Sequence, residues 1–239
     1  MRLLHYSDVE NAYDDPGRIG RLAGCLGRLD GEDALLVGTG DNTSPGVLAL
    51  ATEGRQALDL FSAVEPDVAT FGNHDFDYGP AAARDVVAES PQTWVTANVL
   101  RDGERFAPDL TRRTAVLEAG GTRVGVTGVT TPRTASLSPQ ATDLTFADPV
   151  AAAEEAVADL RARGVDRVVV LSHLGRGDDD LAAAVDADAV LGGHVPTERV
   201  DRVDGTLVTR PGDGGRAELE VDLEAGTAKR PETADARRA

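Results

Sequence analysis

Asp8, Asp41, Asn73, His74, His173 and His194 stand at equivalent places in this chain. Each lies at or just past the end of a short apolar run: residues 3–6, 34–37, 67–71, 166–171 and 187–191. In an α/β protein the C-terminal ends of such strands gather at one rim, where ligands bind. The chain has 4 histidines, and three of them fall at these ends, which random placement would seldom produce. Carboxylates and an amide oxygen suit hard cations, whereas imidazoles suit transition metals. The mixture points to Mn, Fe, Zn or a related ion rather than Ca alone. One carboxylate bridging two ions about 3.5–4 Å apart is the usual two-metal arrangement for hydrolysing phosphate esters. One ion polarises the phosphoryl oxygens while water of lowered pKa attacks in line.

The elements that must position these residues alternate along the chain. Residues 17–29 place Ile19, Leu22, Cys25, Leu26 and Leu29 at three- and four-residue steps, an amphipathic helix closed by Asp30-Gly31. Further helices are expected over 47–64 (stopped by Pro66), 80–89, 149–163 and near 180–185. Besides the five runs above, strands are expected over 93–99 and 216–223. Gly120-Gly121 joins 114–118 to 122–129, and Asp204-Gly205 joins 199–203 to 206–210, as two hairpins. From Glu224 onward the sequence is polar and without period, so a frayed tail is expected. No repeat or linker divides the chain. One α/β domain over 1–223, followed by a polar tail over 224–239, is the expected organisation.

Composition bounds the function. With 239 residues, 41% of them hydrophobic, a sizeable core is available. No stretch approaches the roughly 20 apolar residues that span a bilayer. The formal charge is −17, which repels phosphate backbones and anionic lipid, so neither a nucleic-acid polymer nor a membrane is an expected partner. Lys229 is the single lysine, and Asp, Ala and Val abound. That balance suits a protein living in concentrated salt, although a GC-rich genome would also favour it. The start lacks a charged–apolar–small-residue leader, so a cytoplasmic location is expected. One cysteine excludes an internal disulfide framework and a multi-cysteine zinc site.

Several motifs carry a resemblance. Gly72-Asn73-His74-Asp75-Phe76-Asp77-Tyr78-Gly79 resembles the signature of the 5′-nucleotidase branch of calcineurin-like metallophosphoesterases. Leu3-Leu4-His5-Tyr6-Ser7-Asp8, Gly40-Asp41, Ser172-His173-Leu174-Gly175 and Gly193-His194 are similar to its other motifs, in order. Thr96-Ala97-Asn98-Val99 and the segment 125–132 match its connecting strands. The resemblance implies a four-layer α-β-β-α sandwich with two mixed sheets. It also implies a metal-dependent phosphoesterase acting on a small phosphomonoester, nucleotides among the candidates, by attack of metal-bound hydroxide. In that reading Asp41 bridges, Asn73, His173 and His194 complete the second metal's set, and Asp8 belongs to the first. His74, oriented by Asp77, contacts the phosphate or the leaving oxygen as stabiliser or general acid.

Three departures qualify the resemblance. The first motif is usually Asp-x-His but reads Asp8-Val9-Glu10 here, and the last has a His or Gln where this chain has Pro196. Both affect the first metal. Glu10 still offers oxygen, while Pro196 leaves the place to water, Thr197 or its own carbonyl. One tight site and one weaker site are therefore expected, the weaker preferring Mn²⁺ or Mg²⁺ to Zn²⁺. Mn is the favoured cofactor, with Mg, Fe and Zn as alternatives. Third, relatives in the branch often carry a C-terminal domain that grips the nucleoside, and only residues 224–239 follow the last expected strand, so nucleotide specificity is not inherited. A non-catalytic metal- or phosphate-binding module and a 2′,3′-cyclic nucleotide phosphodiesterase remain alternatives.

Other residues have plainer readings. His5 lies within a strand and is expected to be structural, and Cys25, Phe61, Phe71 and Trp94 read as packed core. Asp178-Asp179-Asp180 reads as a helix-starting cluster on a solvated face. Arg133 and Arg176, in rim loops, are weaker candidates for holding phosphate. Neither a nucleophile elbow nor the lysine of a phosphate-binding loop is present.

Overall fold

A computed structural model describes residues 1–29, 31 and 33–231. The helix stop expected at Asp30 and the last eight tail positions, 232–239, lie outside the described residues. In chain order the first half forms β1 (Arg2–Tyr6), α1 (Pro16–Leu29), β2 (Ala34–Thr39), α2 (Val47–Thr52), α3 (Ala57–Val64), β3 (Val68–Thr70), α4 (Gly79–Glu89), β4 (Thr93–Val95), β5 (Val99–Arg101), β6 (Glu104–Arg105) and β7 (Thr111–Arg112). Then come β8 (Thr114–Ala119), β9 (Thr122–Thr130), α5 (Thr134–Leu137), β10 (Leu144–Phe146), α6 (Pro149–Ala162), β11 (Arg167–His173) and α7 (Asp178–Ala184). The chain closes with β12 (Ala189–Gly192), β13 (Arg199–Val203), β14 (Thr206–Arg210), β15 (Leu219–Asp222) and β16 (Thr227–Lys229).

Strand side chains alternate between faces, and here that alternation sorts the core into three apolar layers. Leu4, Tyr6, Leu36, Ala69 and Trp94 point to one side and pack with Leu22, Leu26, Phe61 and Val86 of the helices. Their neighbours Leu3, Leu35, Val37 and Val68 point the other way and meet Val126, Val169, Leu171 and Leu191 of a second sheet. On that sheet's far side Val168, Val170, Val190 and Val208 meet Val157, Leu160 and Leu181. Each Val, Leu or Phe among them, fully buried, contributes about 1.5–3 kcal/mol. The result is a four-layer α-β-β-α sandwich.

The first sheet has the order β16-β15-β1-β2-β3-β4-β7, parallel from β1 to β7 with β15 and β16 antiparallel at one edge. The second runs β13-β14-β12-β11-β9-β8, a parallel centre with an antiparallel strand at each side. A small antiparallel sheet, β10-β5-β6, lies apart.

Between the sheets, towards the C-terminal strand ends, hydroxyl and imidazole contacts replace aliphatic packing. His5 hydrogen-bonds Thr39 Oγ1 at 2.9 Å through Nε2 and Thr209 Oγ1 at 3.0 Å through Nδ1, joining β1 and β2 to β14. Burial drives its pKa down to about 3, so the ring is neutral and its role structural, as the sequence suggests. Thr39 Oγ1 also donates to the Gly192 carbonyl at 3.2 Å, and Thr130 Oγ1 to the Phe71 carbonyl at 2.7 Å. These bonds fix the strand ends of one sheet against those of the other.

Local expectations needed correction. The helix expected over 47–64 is two helices, because Glu53 and Gly54 take φ of 54° and 86° and end α2 in a left-handed turn. The strand expected over 93–99 stops at Val95. Asn98 then turns the chain by exchanging hydrogen bonds with the Thr130 backbone at 2.8 and 2.9 Å, and Val99 starts the small sheet. The two- and three-residue strands β5, β6, β7 and β10 are too short to show a period. The tail is regular further than expected, since β16 pairs with β15. Among the described residues no helix is long and apolar enough to cross a membrane.

Candidate metal centre

The loops leaving β1, β2, β3, β11 and β12 converge at one rim. Asp41, His173 and His194 each offer a ligand atom within 4.8 Å of the others, and Asp8, Glu10 and Asp41 do the same. Asp41 belongs to both sets. The backbone bends sharply to achieve this: φ is 48° at Asp8, 49° at Glu10, 53° at Asp41 and 71° at His194. Such values are uncommon outside glycine and concentrate at functional sites. Main-chain bonds secure the turns. Asp8 N–H donates to the Gly40 carbonyl at 3.0 Å and Glu10 N–H to the Asp41 carbonyl at 3.2 Å. His194 N–H donates to Asp8 Oδ1 at 3.0 Å and His74 N–H to Asp41 Oδ1 at 2.7 Å. Gly72 permits the closest approach, since a Cβ there would lie 2.1 Å from Asp41 Oδ1.

The electrostatics are those of a crowded anionic pocket. Burial pushes the Asp8 carboxyl up to about 7 despite the pull of His173, and the Ser7 hydroxyl donates to its Oδ2. Burial, then Asp41, then Asp213 raise Glu10 to about 7. Burial also opposes ionisation of Asp41, but His173 and His74 hold its pKa below the ordinary carboxylate value. His173 spans the Thr39 carbonyl (Nδ1, 2.7 Å) and Asp41 Oδ2 (Nε2, 2.9 Å). Burial works against its charge, yet Asp41 and Asp8 lift it to about 10. A carbonyl only accepts, so Nδ1 carries a proton and Nε2 is the atom that can turn a lone pair to a cation. His194 is lowered to about 4 by burial and by His173, leaving its ring neutral at ordinary pH.

The chemistry of these residues fits a divalent metal ion. Asn73 is buried, and its Oδ1 has no hydrogen-bond partner, a costly state for a polar atom unless something else engages it. Burial beside Asp41 raises the Asp8 and Glu10 carboxyls, and a bound cation would relieve both shifts. The donor chemistry divides as well: the Asp41–His173–His194 set, beside Asn73, mixes oxygen with imidazole, while the Asp8–Glu10–Asp41 set is all oxygen.

His74 stands beside the two sets with its Nδ1 2.7 Å from Asp77 Oδ2. That bond, against the effect of burial, raises its pKa to about 9. Asp77 is fixed by Ser44 Oγ at 3.0 Å and Ser138 Oγ at 2.9 Å. Sequence reasoning did not identify either serine, nor the role of Asp75. The Asp75 carboxylate accepts from Asp41 N–H at 3.0 Å, Gly72 N–H at 2.7 Å, Thr43 N–H at 3.2 Å and Thr43 Oγ1 at 2.7 Å, binding two ligand loops together. Its place three residues after Gly72 was the available signal, because a buried Asp in a turn accepts from local N–H groups. The turn is anchored below by Phe71 and Phe76, whose ring centroids are 5.2 Å apart, and by Trp94 stacked on Phe71 at 4.7 Å.

One expectation fails outright. Asp178 is not on a solvated face: it is buried, accepts from Ser172 Oγ at 2.6 Å and pairs with Arg210 at 2.7 Å. The helix turns its first residue under the His173 strand, where Arg210 neutralises it, while Asp179 stays exposed beside Arg199. Cys25 is buried, with its thiol pushed up to about 12 by burial, so it is inert. Arg133 and Arg176 are exposed, and Arg133 is near enough to contribute to the lowered pKa of His194.

One buried carboxylate, Asp41, is common to two groups of side chains at this rim that could each hold a metal ion. The model of the calcineurin-like phosphoesterase family matches residues 1–198. The chain belongs to that family, whose members imply a divalent-metal cofactor. It is 30% identical over 175 residues to a 5′-nucleotidase of Diplobatis ommata, covering 71% of this chain and 30% of that protein. With the 5′-nucleotidase of Rattus norvegicus it shares 26% identity over 218 residues, 82% of this chain and 38% of the relative. The solved 5′-nucleotidase precursor from Thermus thermophilus superposes with a TM-score of 0.81 at 26% identity, over 96% of this chain and 53% of that one. The calcineurin-like phosphoesterase YfkN from Bacillus subtilis shares the fold, with a TM-score of 0.74 at 17% identity over 97% of this chain and 88% of its own. The chain thus spans about a third of the curated relatives' length and about half of the Thermus structure.

Proposed function

We propose that this chain hydrolyses a small phosphomonoester using two divalent cations, with nucleotides the first substrates to test because the relatives are 5′-nucleotidases. The observation that carries the reading is Asp41, one carboxylate common to both donor sets. Asp41, Asn73, His173 and His194 hold the tighter cation, and Asp8, Glu10 and Asp41 the weaker. The all-oxygen set favours Mn²⁺ or Mg²⁺ over Zn²⁺, and Mn²⁺ suits both sets.

The bound pair supplies Lewis acidity to the phosphoryl oxygens and lowers the pKa of the attacking water. The chain supplies the rest. The Thr39 carbonyl fixes the His173 tautomer, Asp75 keeps the Asp41 and Asn73 loops together, and Asp77 orients His74. With Nδ1 engaged by Asp77, His74 gives the proton on Nε2 to the departing oxygen. The acidic, lysine-poor surface supports a working environment of high salt, and the cytoplasm is the location we assign.

Metal-stripped protein is expected to be inactive on nucleoside monophosphates and an artificial phosphomonoester, and to recover with Mn²⁺. Asp41→Asn is expected to bind less metal and recover nothing. Stoichiometric metal binding without turnover of any phosphoester would select the non-catalytic module, and turnover confined to 2′,3′-cyclic nucleotides would select the phosphodiesterase.

A further inference from the structure

His173 closes β11 and His194 lies two residues beyond β12, so neighbouring strand ends of the second sheet deliver both imidazoles. Their rings meet edge to face, with centroids 5.1 Å apart. The same strand ends share a buried ion pair that the proposed chemistry does not use. Arg210, closing β14, donates from Nη2 to Asp178 Oδ2 at 2.7 Å, and both residues are buried.

The pair reaches the backbone beside each imidazole. Ser172 Oγ donates to Asp178 Oδ1 at 2.6 Å and accepts from Leu174 N–H at 3.3 Å, so the residues on either side of His173 are tied to the carboxylate. Arg210 Nη2 also donates to the Gly175 carbonyl at 2.9 Å. Gly175, at φ 67°, lies against the other ring, since a Cβ there would stand 3.1 Å from His194 Cδ2. Gly192, two residues before His194, admits the carboxylate: a Cβ there would stand 2.3 Å from Asp178 Oδ2. A buried ion pair is weak evidence for stability, because apolar side chains of similar volume often serve as well. Apolar side chains could not, however, hold the Ser172 hydroxyl or the Gly175 carbonyl.

We propose that Asp178 and Arg210 are positioning residues for the tighter cation: the pair locks the loops after β11 and β12 at the separation that lets His173 and His194 share one ion. Asp178 sets the first imidazole through Ser172 and meets the second loop at Gly192, and Arg210 fixes Gly175 between the two rings. The all-oxygen set is outside its reach, because Asp8, Glu10 and Asp41 follow β1 and β2 of the other sheet. This role rests on the metal-centre reading proposed above and assigns it two residues that touch neither the ion nor the substrate.

The test is Mn²⁺ titration of the metal-stripped full chain, with free Mn²⁺ followed by electron paramagnetic resonance and a thermal midpoint taken for each variant. Removing one partner would strand a buried charge, so both are replaced together, Asp178→Leu with Arg210→Met. That double variant is expected to keep a parent-like midpoint. It should hold the tighter ion about tenfold more weakly, the scale of losing a partner that orients a metal's ligands, and the weaker ion within about threefold of the parent. Both bonds of Arg210 leave from Nη2, while its Nε has no partner. Arg210→Lys, which keeps a compact cationic donor, should therefore hold the tighter ion within about threefold of the parent. A pair that only stabilises the fold would leave both ions parent-like in any folded variant. The role is overturned if the folded double variant holds the tighter ion within about twofold, if it weakens both ions equally, or if Arg210→Lys loses as much as the double variant. Should the double variant not fold, Ser172→Ala decides, since it cuts the link to β11 and leaves the ion pair intact. It is expected to weaken the tighter ion by at least about threefold, and parent-like binding would overturn the role. Absence of any Mn²⁺ binding to the parent chain would instead refute the metal-centre reading itself.

Discussion

His74 combines two properties a leaving-group acid requires: one ring nitrogen tied to a carboxylate, and a pKa that keeps the other protonated. Its pKa is raised to about 9, first by the bond to Asp77. The protonated form is therefore present below that pH and is lost as pH rises through it. Turnover by the metal-loaded chain is expected to fall along an alkaline limb near pH 9. His74→Ala should lower kcat by about 10²–10⁴ at every pH below the limb. Asp77→Asn should instead move the limb down towards the unperturbed histidine value near 6.5, keeping more activity in acid than in alkali. A pH–rate profile of each variant checks both, and an unmoved limb in Asp77→Asn would remove Asp77 from its role. Residues of this kind were legible in sequence because their types are rare: only 4 histidines occur in the chain, and each strand-end one is conspicuous. Ser44 and Ser138 were not, because serine is common and their partner Asp77 lies 33 and 61 positions away. Of the partners of Asp75 only Gly72 is local, Asp41 and Thr43 lying 34 and 32 positions away.

At the scale of elements, the site depends on turns that leave no space. The β3 turn brings Gly72 against Asp41, where an added Cβ would stand 2.1 Å from Oδ1. Asp41 or the turn must move for alanine to fit. Gly72→Ala is accordingly expected to weaken Mn²⁺ binding at both sites by at least about tenfold, as displacement of the shared ligand demands. Titration calorimetry measures this, and parent-like affinity at both sites would contradict the packing described. Strand positions were legible from β-branched runs such as 166–171, and strand ends from the polar residue following each run. Element length was less legible. The region 47–64 is apolar enough to continue as one helix, and its break at Glu53-Gly54 shows only in the left-handed backbone there. Asp178 misled because its two neighbours are indeed exposed. Whether an Asp at a helix start faces water or Arg210 depends on which face the helix turns to β14, a tertiary matter.

For the whole molecule, the two sheets join ligands from opposite ends of the chain, so the site exists only when both sheets are packed. Asp8 and His194, bonded at 3.0 Å, are 186 residues apart. The four-layer architecture came from motif resemblance rather than from periodicity, since alternation reveals strands but not which strands share a sheet. Net charge acts at this scale too. At −17, self-repulsion destabilises the compact state, and salt screens it over a Debye length of about 10 Å at 0.1 M and 3 Å at 1 M. The thermal midpoint is expected to rise by several degrees between 0.1 and 2 M KCl. Scanning calorimetry checks this, and a flat or falling midpoint would contradict salt adaptation.

The proposed chemistry requires Asp41 to be shared by two cations at the rim. Crystals grown with Mn²⁺ and measured at the manganese absorption edge test it most directly. Two anomalous peaks are expected, one among Asp41, Asn73, His173 and His194 and a second, of lower occupancy, among Asp8, Glu10 and Asp41. Peaks elsewhere, or a rim without manganese at saturating concentration, would show that Asp41 does not join two cations.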